Sequence, residues 1–429
     1  MISSVAEARR LTSETAKLTQ IVALGASHAF AHTPPPALPT KLDFEKMHDV
    51  IVVGAGPAGS RVARLLAREG LDVVLADKEE FPRDKVCGGG LSGKTIALLN
   101  TDLSAITQRT ITSAFLTYRN EATVVKNLDR HEGLTTLRSD FDKLLLDQAI
   151  ADGAQFLPGS PLLSAEVGDD LITVELGGQK LKCKYLLGAD GVFSQVRKLL
   201  FPKGTVEYAP STEALVYVKP EVRDRFEHRA LFDFGGMRRG YGWIFPKKDH
   251  LNAGVFSVFP STDIRSQLKD FLARYSSLRD FDRIEYRGSC IPIRNATSDY
   301  QRGAVWLIGD AAGFAEAFYG EGIYYALKSA HIAASALTSS FQHPESLEYS
   351  RRIRAEIQED LQYADLTSRL FFRAPKFGYY RMVRNARVNQ YFAGLITGAV
   401  TPRECFYKTL RSVPYWLAPG MIPYVDERL

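Results

Sequence analysis

The chain has 429 residues, 45% of them hydrophobic and 24% charged, with a net charge of +5. That is enough for a substantial folded core without disulfide staples. Its four cysteines, at 87, 183, 290 and 405, include no CxxC pair, which argues against a metal site or disulfide framework and for a reducing, cytoplasmic setting. No run approaches the roughly 20 apolar residues that a spanning helix requires.

Residues 1–46 are rich in Ala, Ser and Thr and include His-Thr-Pro-Pro-Pro. Glu7, Glu14, Asp43 and Glu45 argue against a transit peptide, since such peptides are poor in acids. Met47 directly precedes the first strand. Two readings follow: translation starts at Met47, or the segment is a disordered extension. Neither gives it any chemistry.

From Asp49 the sequence DVIVVGAGPAG runs an apolar strand into Gly54-x-Gly56-x-x-Gly59, followed by the helical pattern SRVARLLAREG and a second strand ending at Asp77. Gly54 suits the tight turn, Gly56 the close approach of backbone to a pyrophosphate, and Gly59 the packing of helix on strand. Phosphates then meet free N–H groups at the helix start. Asp77 lies 18 residues beyond Gly59, where a carboxylate can bind an adenosine ribose.

Two later stretches have related form. Tyr185-Leu-Leu-Gly-Ala-Asp190-Gly191 is a strand that stops at Asp-Gly before a helix, and Ala304-Val-Trp-Leu-Ile-Gly309-Asp310 is another, ending at a glycine-rich helix start. Between them lie short β-rich segments at 214–219, 229–234, 243–246, 253–259 and 286–292, the pattern of a mostly antiparallel sheet.

The trio GxGxxG, GADGxxSxVR and GDAAG resembles the FAD-containing fold shared by aromatic hydroxylases, flavin-dependent halogenases and geranylgeranyl reductases. The resemblance implies an α/β fold. A discontinuous Rossmann-type FAD-binding domain (about 47–120, 135–200 and 295–345) would carry an inserted substrate-binding sheet domain (about 201–294), with a helical C-terminal region at 346–429. It also implies that Asp310, with Gly309, binds the ribityl chain, that Asp190 and Gly191 lie near the diphosphate, and that Arg138 sits on a helix over the cofactor. A helix-surface arginine is the alternative for Arg138. No second Gly-rich βαβ unit is present, so the reductant is either NAD(P)H visiting the flavin or a ferredoxin.

Three stretches resemble the geranylgeranyl reductase branch: Lys85-x-Cys87-Gly-Gly, Tyr241-x-Trp243-x-Phe245-Pro246, and Gly320-Glu321-Gly322-Ile323 after the GD motif. The loop between departs from the family at Glu316-Ala317-Phe318-Tyr319, which lacks a proline. This resemblance implies reduction of prenyl carbon–carbon double bonds. It places Gly320 and Gly322 beside the flavin and makes Tyr241, Trp243, Phe245 and Pro246 candidates for lining an apolar substrate site. Cys87 is the candidate proton donor, a thiol being a compact acid with a reference pKa of about 8.5. Its alternative is a small residue fitted into a tight loop.

From Phe371 to Gly420, eight basic residues stand against Glu404 alone and interleave with aromatics as far as Trp416. This suits a surface in peripheral contact with anionic membrane headgroups or one that recognises the diphosphate of a lipid substrate; the alternative is a helical cap whose arginines face water. The flavin motifs argue against a nucleic-acid partner. The competing functions on the same fold are a flavin monooxygenase and an electron-transfer flavoprotein without its own organic substrate.

Overall fold

The computed structural model describes residues 45–128, 133–201, 206–259, 263–295, 300–342 and 348–412. The extension discussed for residues 1–46 lies outside these but for its last two residues, as does Trp416. At the centre stand β1 (Met47–Val53) and β2 (Val73–Ala76), in which Val50 to Val53 and Val73 to Ala76 are all buried. Continuous apolar runs are what parallel strands covered on both faces require.

β1 pairs in parallel with β2 on one side and with β11 (Gln179–Gly188) on the other. Beyond these, β8 (Gln155–Leu157) pairs with β2 and β18 (Val305–Leu307) with β11, both in parallel. Antiparallel β9 (Leu162–Val167), β10 (Ile172–Leu176) and β17 (Gln301–Arg302) complete an eight-stranded sheet. Helix α1 (Pro57–Arg68) joins β1 to β2 and packs against two helices from far along the chain, α2 (Arg138–Ala151) and α5 (Ile323–Gln342). A short α3 (Gln195–Leu200) follows β11.

The second sheet has seven strands: β5 (Ser113–Tyr118), β6 (Ala122–Asn127), β12 (Val206–Val218), β13 (Arg229–Phe234), β14 (Gly240–Pro246), β15 (Leu251–Ser257) and β16 (Phe281–Asn295). Every pairing but β13 with β5 is antiparallel. One boundary shifts from the sequence reading. β5, placed there in the nucleotide-binding portion running to about 120, belongs to this sheet, because it pairs with β13 in parallel from Ser113 opposite Arg229 and sends Phe115 into the second sheet's core. β3 (Gly90–Leu91), β7 (Gly133–Thr136) and β4 (Thr107–Ile111) form a small bridging sheet.

Period-two alternation gives the second sheet two different faces. On β14, Ile244 joins a core with Leu268 and Phe271 of α4 (Ile264–Arg274). Tyr241, Trp243 and Phe245 point the other way, into an aromatic cluster completed by Phe371 of α6 (Glu359–Arg373), Phe392 of α7 (Ala386–Thr397) and Cys405 of α8 (Pro402–Arg411). Among the described residues no helix is long and apolar enough to cross a membrane.

Candidate active site

The first end of the site is the turn after β1. Gly54 has φ +102°, and a Cβ at Gly59 would lie 1.7 Å from the Gly54 carbonyl oxygen, so helix and turn interlock at a distance only hydrogen allows. No side chain caps α1, whose first position is Pro57. Its leading N–H groups are left for an anion. Asp77 receives the Ala55 N–H at 2.6 Å and the Glu79 N–H at 2.9 Å, which fixes its carboxylate against the turn. Asp190 receives the Gln195 and Val196 N–H groups of α3, while its other oxygen is buried without a partner; burial raises its pKa. Gly191, at φ +77°, has open space where a Cβ would stand.

The second end is built around the loop holding Cys87. Lys85 of this loop pairs with Asp310 at 3.3 Å, and a Cβ at Gly322 would lie 3.4 Å from Asp310 Oδ1. The residues GDAAG and GEG thus close on the cysteine loop. Gly309 and Gly320 both take positive φ, +57° and +67°.

Three glycines follow Cys87 because three walls press on the loop. A Cβ at Gly88 would meet the Phe245 ring at 2.9 Å and Trp243 Nε1 at 3.0 Å; at Gly89, the Thr136 carbonyl oxygen at 2.2 Å; at Gly90, the Phe245 ring at 2.9 Å. Lys247, fully buried, donates to the carbonyls of Gly88 and Thr136, both at 2.8 Å. Burial lowers its pKa to about 8, against the opposing pull of Cys87 and Glu213.

Arg138 approaches the cysteine from α2. It is buried, which disposes of the surface alternative, and makes a two-pronged contact with Asp142 at 2.8 Å for each bond. Burial works to lower its pKa, but Asp142 and a hydrogen bond to Cys87 outweigh that and raise it. Arg83 shares Asp142 at 3.1 Å. Arg138 and Lys247 are the two cations that interact with Cys87.

From this loop an aromatic wall runs through the molecule. Trp243 touches Tyr241 at 6.5 Å between ring centroids, Tyr241 touches Phe234 at 5.9 Å, Phe234 touches Tyr379 at 6.3 Å, and Tyr379 touches Tyr118 at 5.8 Å. Tyr118 lines an open groove of about 550 Å³ with Pro375, Lys376, Phe377, Tyr380 and Arg381. Trp243 is held in place by its indole N–H, which donates to Asn252 at 2.8 Å. Pro246 ends β14, its carbonyl accepting from the Thr135 hydroxyl.

An uncapped helix start, an interlocked glycine turn, a fixed carboxylate and a lone buried acceptor fit a dinucleotide. A family model described as an FAD binding domain matches residues 47–361. The chain belongs to that family. An uncharacterized protein of Methanosarcina barkeri is 31% identical, covering 76% of this chain and 84% of the relative. The geranylgeranyl diphosphate reductase of Rhodobacter capsulatus is 30% identical, covering 67% of this chain and 74% of the relative. A solved structure of a geranylgeranyl bacteriochlorophyll reductase-like protein from Thermoplasma acidophilum has the same fold, with a TM-score of 0.69 at 19% identity, covering 87% of this chain and 98% of that one. Within the FAD-binding family the chain is thus a geranylgeranyl reductase-like oxidoreductase, and its cofactor is FAD.

In this FAD-binding protein the sequence-derived residues fall into the two groups just described. Gly54, Gly56, Gly59 and Asp77 surround one turn, with Asp190 and Gly191 at the end of neighbouring β11. Cys87, Arg138, Trp243, Phe245, Asp310 and Gly322 surround the other. Four contributors carried no assigned role: Lys247, Asp142, Arg83 and Asn252. A fifth is Glu316, buried in the loop that departs from the family and accepting from the N–H groups of Phe318 and Tyr319. Burial pushes its pKa up to about 7, further helped by Glu321, which is itself paired with Lys94 at 2.6 Å. The missing proline is the signal that marks this loop.

Proposed function

We propose that this FAD-dependent oxidoreductase reduces carbon–carbon double bonds of a prenyl chain. The observation that carries the reading is the meeting of the Cys87 loop, at Gly88 and Gly90, with Trp243 and Phe245, from which aromatic rings lead to the groove beside Tyr118. Reduced FAD, when bound, supplies a hydride to one alkene carbon and is left oxidised. The chain must deliver a proton to the other carbon and keep water from trapping the positive charge that this leaves on the carbon awaiting the hydride.

Cys87 holds that proton on Sγ. Arg138 and Lys247 interact with Cys87, and their charges compensate the one left on its sulfur when the proton departs; solvent then returns the proton. Trp243, Phe245 and Tyr241 exclude water and present ring faces to the developing cation. Burial raises the Tyr241 and Tyr319 phenols well above their ordinary range, so this wall stays uncharged. The relative from Rhodobacter capsulatus bears the name of a prenyl diphosphate reductase, in keeping with such a substrate.

The test is anaerobic incubation of the dithionite-reduced holoenzyme with geranylgeranyl diphosphate and with extracted membrane lipids, followed by mass spectrometry. Products heavier by two hydrogens per double bond, with flavin reoxidised in step, are expected. A flavin that no prenyl compound reoxidises overturns the reading. Oxygen consumption yielding a hydroxylated product would favour a monooxygenase instead.

A further inference from the structure

We infer that the outer face of α6 and α8, together with the rim of the groove beside Tyr118, is a docking surface for an anionic lipid bilayer. Of the fourteen large hydrophobic side chains that stand exposed among the described residues, five lie here: Leu366, Leu370, Phe377, Tyr407 and Leu410. Phe377 is 49% exposed, Leu366 45% and Tyr407 42%. The other nine are scattered over the remaining length of the chain.

The helices place these side chains in stripes. On α6, Leu366, Arg369, Leu370 and Arg373 are exposed at spacings of three, four and seven, which is one side of a helix. On α8, Arg403, Tyr407, Leu410 and Arg411 repeat the arrangement. The stripes adjoin, because the Tyr363 and Tyr407 rings lie 5.6 Å apart with their hydroxyls at 3.2 Å. Phe377 continues the face beyond the end of α6 and forms part of the groove wall.

Charge selects the occupant. Arg369 and Arg403 are paired with Asp365 and Glu359. Arg373, Lys376 and Arg411 are exposed and have no carboxylate partner among the described residues. Leucines and aromatics alternating with cations of one sign match the interface of a bilayer, where apolar side chains enter the acyl boundary and arginines meet anionic headgroups. A second copy of this chain would set these cations against each other. The groove opens on the same face and its aromatic wall leads inward to the Cys87 loop at Gly88 and Gly90, so docking would set the groove against the lipid. This last point rests on the prenyl reading; the docking itself does not.

The experiment is flotation of the purified holoenzyme with vesicles of phosphatidylcholine alone and with vesicles that also contain phosphatidylglycerol. Flotation is expected with the anionic vesicles only. L366E/L370E and, separately, R373E/K376E should abolish it while retaining bound flavin and the wild-type unfolding midpoint. Each basic residue removed should weaken partitioning about five-fold. Equal flotation on neutral and anionic vesicles, or variants that float as the wild type does, would overturn the inference. If L366E/L370E converts a dimer to a monomer in sedimentation and still floats, the face belongs to a second copy. Because flotation needs no turnover, its failure is distinguishable from failure of the reductase reading.

Discussion

At the nucleotide end of the site, position is set by backbone: Gly59 touches the Gly54 carbonyl, α1 offers bare N–H groups, and Asp77 is held by the Ala55 and Glu79 N–H groups. At the aromatic end it is set by side chains arriving from distant segments, Trp243 and Lys247 from or beside β14, Arg138 from α2 and Phe371 from α6. The first end can bind a cofactor that many folds share. On the function proposed above, the second decides what the reduced cofactor meets.

The sharpest break is Gly59→Val. With a Cβ 1.7 Å from the Gly54 oxygen, α1 has to move off β1. Destabilisation beyond about 4 kcal/mol, or loss of folded protein altogether, is expected in denaturant unfolding. Asp310→Ala should act less broadly. It frees Lys85 and, if Asp310 holds the ribityl chain as the family resemblance implies, the variant should purify folded but colourless, and flavin absorbance checks it. A variant that keeps its FAD would count against that role.

Cys87→Ser should leave flavin content unchanged and lower single-turnover reoxidation by prenyl substrate about a hundredfold, the low end for loss of a general acid. Full turnover would assign Cys87 to loop packing. The smallest effect concerns Glu316. Its folded pKa of about 7 lies above the ordinary 4.5, so the proton it holds contributes stability that is complete below pH ~4.5 and is lost as pH rises through about 7. Glu316→Gln should flatten the decline of unfolding free energy over that window, at most about 1.4 kcal/mol per pH unit. A wild-type stability that does not fall there would refute the buried proton.

The same contrast explains what could be read from the sequence. The glycine turn, the Asp-Gly strand end and the GD strand end are each contiguous, so their residues name their own geometry. Tyr241, Trp243 and Phe245 were legible through the family resemblance of Tyr-x-Trp-x-Phe-Pro, itself a contiguous stretch, and alternation along β14 puts all three on one face. Lys247 was not. A lysine beside a strand ordinarily faces water, and only the fold brings it to carbonyls 159 and 111 residues away. Asp142 escaped notice because its value lies in gathering Arg138 and Arg83, the second from a different part of the chain. β5 was misplaced because a parallel pairing across more than a hundred residues leaves no local signature.

The three glycines after Cys87 also limit how the acceptor specificity of this protein can be altered. Any side chain at 88, 89 or 90 collides with Phe245, Trp243 or the Thr136 carbonyl, so this loop offers an engineer no productive library. Variation has to be introduced across the aromatic wall, at Phe232 and Phe234, whose rings adjoin Tyr241, and at Tyr319, whose ring adjoins Phe232. Changing those three would reshape the aromatic wall without placing a side chain in the cysteine loop itself.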